Sequence, residues 1–140
     1  MSRPGRRLAF DYGDVRIGVA VCDMDGILSS PLVPLNSKHP NLMDQIRELV
    51  TEYAPVRIYV GQPLNLSGEP SVSSVKANSF ADQVRAIVDF DVVMIDERLT
   101  TVSASALLSQ AGVSVKDQRR MIDSVAAVAI LESGLSRERG

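Results

Sequence analysis

The chain has 140 residues, 45% of them hydrophobic and 23% charged, which suits a single domain, 1–140, able to bury an ordinary core. A net charge of −2 argues against a protein that grips nucleic acid by overall basicity, so any such contact has to be local. One cysteine, Cys22, and one histidine, His39, leave no intrachain disulfide or multi-cysteine metal site and make serine-histidine or cysteine-histidine catalysis a poor fit.

The first predicted elements lie in Leu8 to Cys22, LAFDYGDVRIGVAVC, where two apolar runs flank Gly13-Asp14 and read as a hairpin. Strands are expected at about 6–12 and 16–22, then from Ile27 to Leu35 after a turn at Asp23 to Gly26, which makes an antiparallel meander. Pro31 and Pro34 each remove a ladder donor, so the third strand belongs at a sheet edge. Cys22 reads as a packing residue at a strand end. Asn41 is the expected cap of a helix to about Tyr53, whose Leu42, Ile46, Leu49 and Val50 recur at helical spacing, and Pro55 ends it.

Val56 to Val60 reads as a short buried strand, followed by the long turn-rich loop GQPLNLSGEPSVSS. A second helix is expected from about Ser71 or later to Val88, and a strand from Asp91 to Ile95 ending at Asp96-Glu97. Thr100 or Thr101 is placed to cap a third helix running to Gln110, and a last helix spans 117–133. Three antiparallel strands followed by alternating helices and strands specify a mixed α/β sheet of five strands, three antiparallel and then two parallel, flanked by helices. No apolar run reaches the roughly eighteen residues of a membrane helix, and MSRPGRR carries no apolar signal region. The expected location is cytoplasmic, with no membrane partner.

Three acids carry the chemistry. Asp11 sits inside a strand, where an ionised carboxylate needs a partner: a metal ion, or Arg16 just across the turn. Glu97 lies just beyond the last strand, on the edge where the carboxyl ends of parallel strands gather and where open α/β sheets bind ligands. Asp123 is embedded in MIDSVAAVAIL, apolar nearly all round the helix; its plainer role is to meet the helix dipole or Arg119 and Arg120. Together Asp11, Glu97 and Asp123 form the hard-oxygen set that two divalent ions about 4 Å apart require. Basic residues gather locally at Arg3, Arg6 and Arg7, at Lys116, Arg119 and Arg120, and at Arg137 and Arg139, where the plain reading is a solvated face.

FDYGDVRIGVAV, VGQPLNLSG, DERLTT and IDSVAAVAIL, in that order and spacing, resemble the YqgF-type family, described as Holliday junction resolvases and as nucleases of precursor 16S ribosomal RNA. The resemblance implies a ribonuclease H-like fold, with the family's three acids at Asp11, Glu97 and Asp123 as catalytic residues and ligands of Mg²⁺ or Mn²⁺. Family forms differ at Val15, usually basic, at Gln62, usually leucine, and at Glu132, often glutamine. The implied reaction is phosphodiester hydrolysis with Asp11 as bridging ligand. Arg16 and Arg98 are candidates to hold phosphate, the amides of Gly61 to Asn65 to meet a substrate backbone, Lys76 to reach it from the loop, and Arg119 and Arg120 to bind nucleic acid generally.

The expected partners are structured RNA, including ribosomal precursor particles, or branched DNA. A resolvase acting on two symmetric strands would be a homodimer, whereas an RNA-trimming enzyme could work as a monomer. The hairpin DYGDVRIGVA also looks like the phosphate turn of actin-type and sugar-kinase ATPases, but those need a second such domain. The remaining alternative is a catalytically silent RNA-binding factor of ribosome assembly, which would not need all three acids.

Overall fold

The computed structural model describes residues 4–64, 67, 71–97 and 115–139, with side chains in the last helix from Ser124 onward. Its strands are β1 (Arg7–Tyr12), β2 (Arg16–Cys22), β3 (Ser29–Asn36), β4 (Arg57–Gln62) and β5 (Val92–Asp96), and its helices are α1 (Leu42–Tyr53), α2 (Val72–Arg85) and α3 (Val115–Arg139). They form one five-stranded sheet of order β3-β2-β1-β4-β5. β1 and β3 each pair antiparallel with β2, whereas β4 runs parallel to both β1 and β5. This is the expected mixed sheet, with the proline-bearing β3 at its edge. The expected helix from Thr100 or Thr101 to Gln110 lies outside the described residues.

Strand alternation divides the core into two layers. Leu8, Phe10, Ile17, Val19, Ile58 and Val60 face Ile46 of α1 and Phe80, Ala81 and Val84 of α2. On the opposite face, Ala9, Ala20, Cys22, Tyr59 and Ile95 meet Val125, Ala127, Ile130, Leu131 and Leu135 of α3. Small residues on β1 and β2 let α3 lie close to the sheet. Gly134 completes the fit, since a Cβ there would sit 2.7 Å from the ring of Tyr59.

Element ends depart from the pattern for local reasons. β3 begins at Ser29 rather than Ile27 because the Asp23 carboxylate accepts the Ile27 and Leu28 amides and holds them in a turn. Asn41 sits at the start of α1 but makes no side-chain cap; His39 Nδ1 instead accepts the Asn41 N–H at 3.0 Å. Ala54, at φ 45°, turns the chain left-handed before Pro55. Ser71 and Ser74 form a reciprocal capping box that starts α2, which ends at Arg85, short of Val88.

α3 outruns its expected end at 133, because Leu135 is core and Glu138 is claimed by two arginines. Arg7, 2% exposed, donates Nη2 and Nε to the Glu138 carboxylate at 2.9 and 3.2 Å, and Arg57 Nη1 adds a third contact at 2.8 Å. Arg7 therefore is not part of a solvated basic face. Cys22 is the expected packing residue: it is buried, its Sγ accepts the Arg7 amide, and burial pushes its thiol pKa up.

The register of α3 is set by one hydroxyl. Between Ile17 and Val19 the β2–β3 ladder slips, so Val33 and Pro34 stand opposite Gly18, and Pro34 falls where the ladder is interrupted. Beside that bulge the fully buried Ser124 accepts the Val19 N–H at 3.0 Å and donates to the Leu32 carbonyl at 2.6 Å. Ser124→Ala strands a buried amide, and is expected to cost about 1–3 kcal/mol in denaturant unfolding while leaving the m-value unchanged. An unchanged midpoint would mean that the slipped ladder closes without the hydroxyl.

Candidate active site

The chain leaves β1 to build β2 and β3 on one side, then returns to build β4 and β5 on the other. The reversal of strand order therefore falls between β1 and β4, and the carboxyl ends of parallel strands at such a point are where open α/β sheets bind their ligands. Asp11 lies near the end of β1, directly opposite Gly18, whose lack of a side chain leaves space beside the carboxylate. Alternation puts Asp11 on the same face as Ala9, under α3, and Glu97, just past β5, turns its carboxyl to that face, against Gly61. Both acids thus reach one corner.

The two carboxyl groups touch there. Burial first, then a hydrogen bond to Asp11 and the charges of Asp11 and Asp96, push the Glu97 pKa up to about 8. Two carboxyl groups in hydrogen-bond contact need a proton between them, and the raised Glu97 pKa belongs to the pair. Gly61 makes the approach feasible, because a Cβ on it would lie 2.8 Å from Glu97 Oε1 and would collide with Ile130 Cδ1. Two carboxyls close enough to share a proton are also hard oxygen donors that one divalent cation can bridge, so the residues present fit Mg²⁺ or Mn²⁺.

The backbone of α3 carries Asp123 next to Ser124, whose bonds to β2 and β3 fix the height of that turn beside the sheet. The side chains of Asp123, Arg119 and Arg120 lie outside the described residues, as do Arg98, Asn65, Thr100 and Thr101. Among the described residues no group of three possible metal-binding side chains comes together. Arg16 opens β2, exposed, on the same face as Asp11 by alternation.

Two placements correct the expectations. Lys76 is not on the loop but on α2, where Nζ lies 2.9 Å from Asp14 Oδ1 and ties the helix to the β1–β2 turn. Gly61 and Gln62 extend β4 and pair with Ile95 and Asp96, so they belong to the sheet rather than to a substrate-facing loop. Sequence reasoning missed how Gly61 admits Glu97; a glycine inside a strand, the usual mark of close approach, was the available signal. It also missed the Ser124 anchor, for which an isolated serine in an apolar helix was the sign.

A five-stranded mixed sheet in this order, with carboxylates at its reversal point and a helix across that face, is the ribonuclease H-like architecture. The profile of the family RuvX: Holliday junction resolvase matches residues 5–137, and the chain belongs to that family. A Streptomyces avermitilis protein provisionally named a pre-16S rRNA nuclease is 44% identical over 139 residues, covering 98% of this chain and 89% of its own. A Rhodococcus jostii protein of the same provisional name is 46% identical over 137 residues, covering 94% and 77%. Among solved structures, T. thermophilus RuvC in complex with Holliday junction substrate superposes with a TM-score of 0.67 over 97% of this chain and 96% of that one. At 13% identity that likeness carries the fold.

Proposed function

We propose that the chain is a metal-dependent nuclease that hydrolyses phosphodiester bonds, processing the 5′ end of precursor 16S ribosomal RNA in the cytoplasm. The observation that supports this most directly is the hydrogen-bonded Asp11–Glu97 carboxyl pair at the reversal point of the sheet. The names of the similar proteins supply the RNA; the family's printed description favours a second reading, cleavage of branched DNA.

Asp11, Glu97 and Asp123 would hold Mg²⁺ or Mn²⁺, which when bound acidifies a water and steadies the charge developing on the phosphate. Asp11 supplies the central carboxylate from the rigid middle strand. Glu97 must release its proton to become a ligand, so it couples metal binding to pH. Arg16, exposed beside Asp11, is placed to take phosphate oxygens, and Arg98, Asn65, Lys76, Arg119 and Arg120 are assigned to the nucleic-acid path.

The deciding experiment compares cleavage of a precursor ribosomal RNA fragment, a four-way DNA junction and plain duplexes in Mg²⁺. Preferential cutting of the RNA fragment is the expected result. Preference for the junction supports the resolvase reading, and binding without metal-supported cleavage of any of them supports a silent assembly factor.

A further inference from the structure

Tyr12 follows Asp11 in β1, so its side chain crosses to the opposite face of the sheet, just over the rim from the two carboxyl groups. There the ring lies against Phe80 of α2, centroids 5.0 Å apart and planes tilted by 33°. Phe80 is in turn held edge-on by Phe10 at 5.7 Å. Backed in this way, the half-buried Tyr12 ring walls a hollow of about 220 Å³ whose rim carries Ser37, Lys76, Ser79 and Gln83. A second hollow of about 290 Å³ shares Ser37 and Gln83 and continues towards His39 and Asn41 at the start of α1.

We propose that the Tyr12 hollow is a subsite for one unpaired nucleobase, next along the strand from the phosphate that metal bound by Asp11 and Glu97 would hold. This rests on the nuclease reading and adds to it which form of the strand the site takes. An aromatic ring fixed from behind stacks on any base, and adjacent hydroxyl and amide groups meet base edges. Ser79 and Gln83, four residues apart on one exposed face of α2, supply an alcohol and an amide. Ser37, whose hydroxyl donates to the Gly13 carbonyl at 2.6 Å, pins the β1–β2 turn beside the opening and keeps its lone pairs as acceptors. Lys76, exposed and paired with Asp14 at the same rim, is the cation that a phosphate entering the hollow would recruit.

A base locked in a duplex cannot enter, because its face is stacked and its edge is paired. The subsite therefore favours single-stranded or frayed nucleic acid at the point of cleavage. That selectivity would come from shape and stacking, without reading sequence.

The test is fluorescence anisotropy in excess chelator, so that nothing is cut, with a short unstructured labelled RNA and a duplex of the same sequence. Tyr12→Ala is expected to weaken single-strand binding roughly tenfold and leave duplex binding unchanged, while Tyr12→Phe keeps the parent's affinity. Ser79→Trp fills the hollow from an exposed position without touching the core, and is expected to repeat the selective loss should Tyr12→Ala unfold. Equal affinity of Ser79→Trp and the parent for the single strand, or a loss shared equally with the duplex, overturns the subsite. Absence of metal-supported cleavage in the parent would overturn the nuclease reading instead, and leaves this binding result standing.

Discussion

Asp11→Asn is expected to yield a folded protein that no longer cleaves nucleic acid in Mg²⁺. The central carboxylate loses its charge, and the loss should exceed the ~10- to 100-fold that removing a hydrogen-bond partner of a metal ligand costs. Folding should survive, because Asn fills the same volume and its amide oxygen can still accept the Glu97 proton, while a repulsive charge has been removed. The measurement is the initial rate of cutting a precursor ribosomal RNA fragment, alongside thermal melting of both proteins. Cutting by the mutant at the parent's rate, or cutting by the parent in excess chelator, would end the metal mechanism.

The strand directions, the edge place of β3 and the common edge of Asp11 and Glu97 were legible because they rest on pattern and chain order. The continuous apolar runs of β1 and β2, two prolines in β3 and the switch to helical spacing after Asn41 leave few sheets to choose from. What stayed hidden depended on contacts between residues far apart in the chain. In sequence Arg7 resembles its half-buried neighbour Arg6, and only the fold brings Glu138, at the far end of α3, back onto it. Lys76 lay in a serine-rich stretch that reads as loop, and only the reciprocal Ser71–Ser74 cap turns those serines into a helix start. Asn41 stands at the expected cap position, but its side chain makes no cap bond and its own N–H is taken up by His39 Nδ1.

The corner of the site follows the same division. Chain order brings Asp11 and Glu97 to one edge of the sheet, but their direct contact depends on a missing Cβ at Gly61, visible only when β4 and β5 are laid side by side. Likewise, the apolar pattern of α3 shows that it is buried, whereas its height relative to the acids is set by Ser124 reaching into a bulge on the opposite edge. Position along the strands is thus a property of pattern. Closeness of approach is a property of packing.

That closeness has a thermodynamic consequence, tested with Glu97→Gln. The Glu97 carboxyl is raised from 4.5 to about 8 in the folded protein, first by burial and then by Asp11. Its contribution to stability is fully present below its unfolded pKa and is lost as pH rises towards 8, because the unfolded chain releases the proton more readily. Gln imitates the protonated acid at every pH: it donates to Asp11 and carries no charge. In chelator, the mutant and the parent should therefore melt alike at pH 4, and the mutant should be the more stable at pH 8. With water softening the repulsion, the gain is on the order of 2 kcal/mol. Divalent metal should reverse the ranking, since the parent gains roughly 2.7 kcal/mol at a hundredfold excess over Kd and the mutant, short of a ligand, gains less. The check is thermal melting of both proteins at pH 4 and pH 8, in chelator and in millimolar Mg²⁺. A mutant that melts below the parent at pH 8 in chelator would show that Glu97 is held there by favourable contacts as an ordinary ionised side chain, and the shared proton would be wrong.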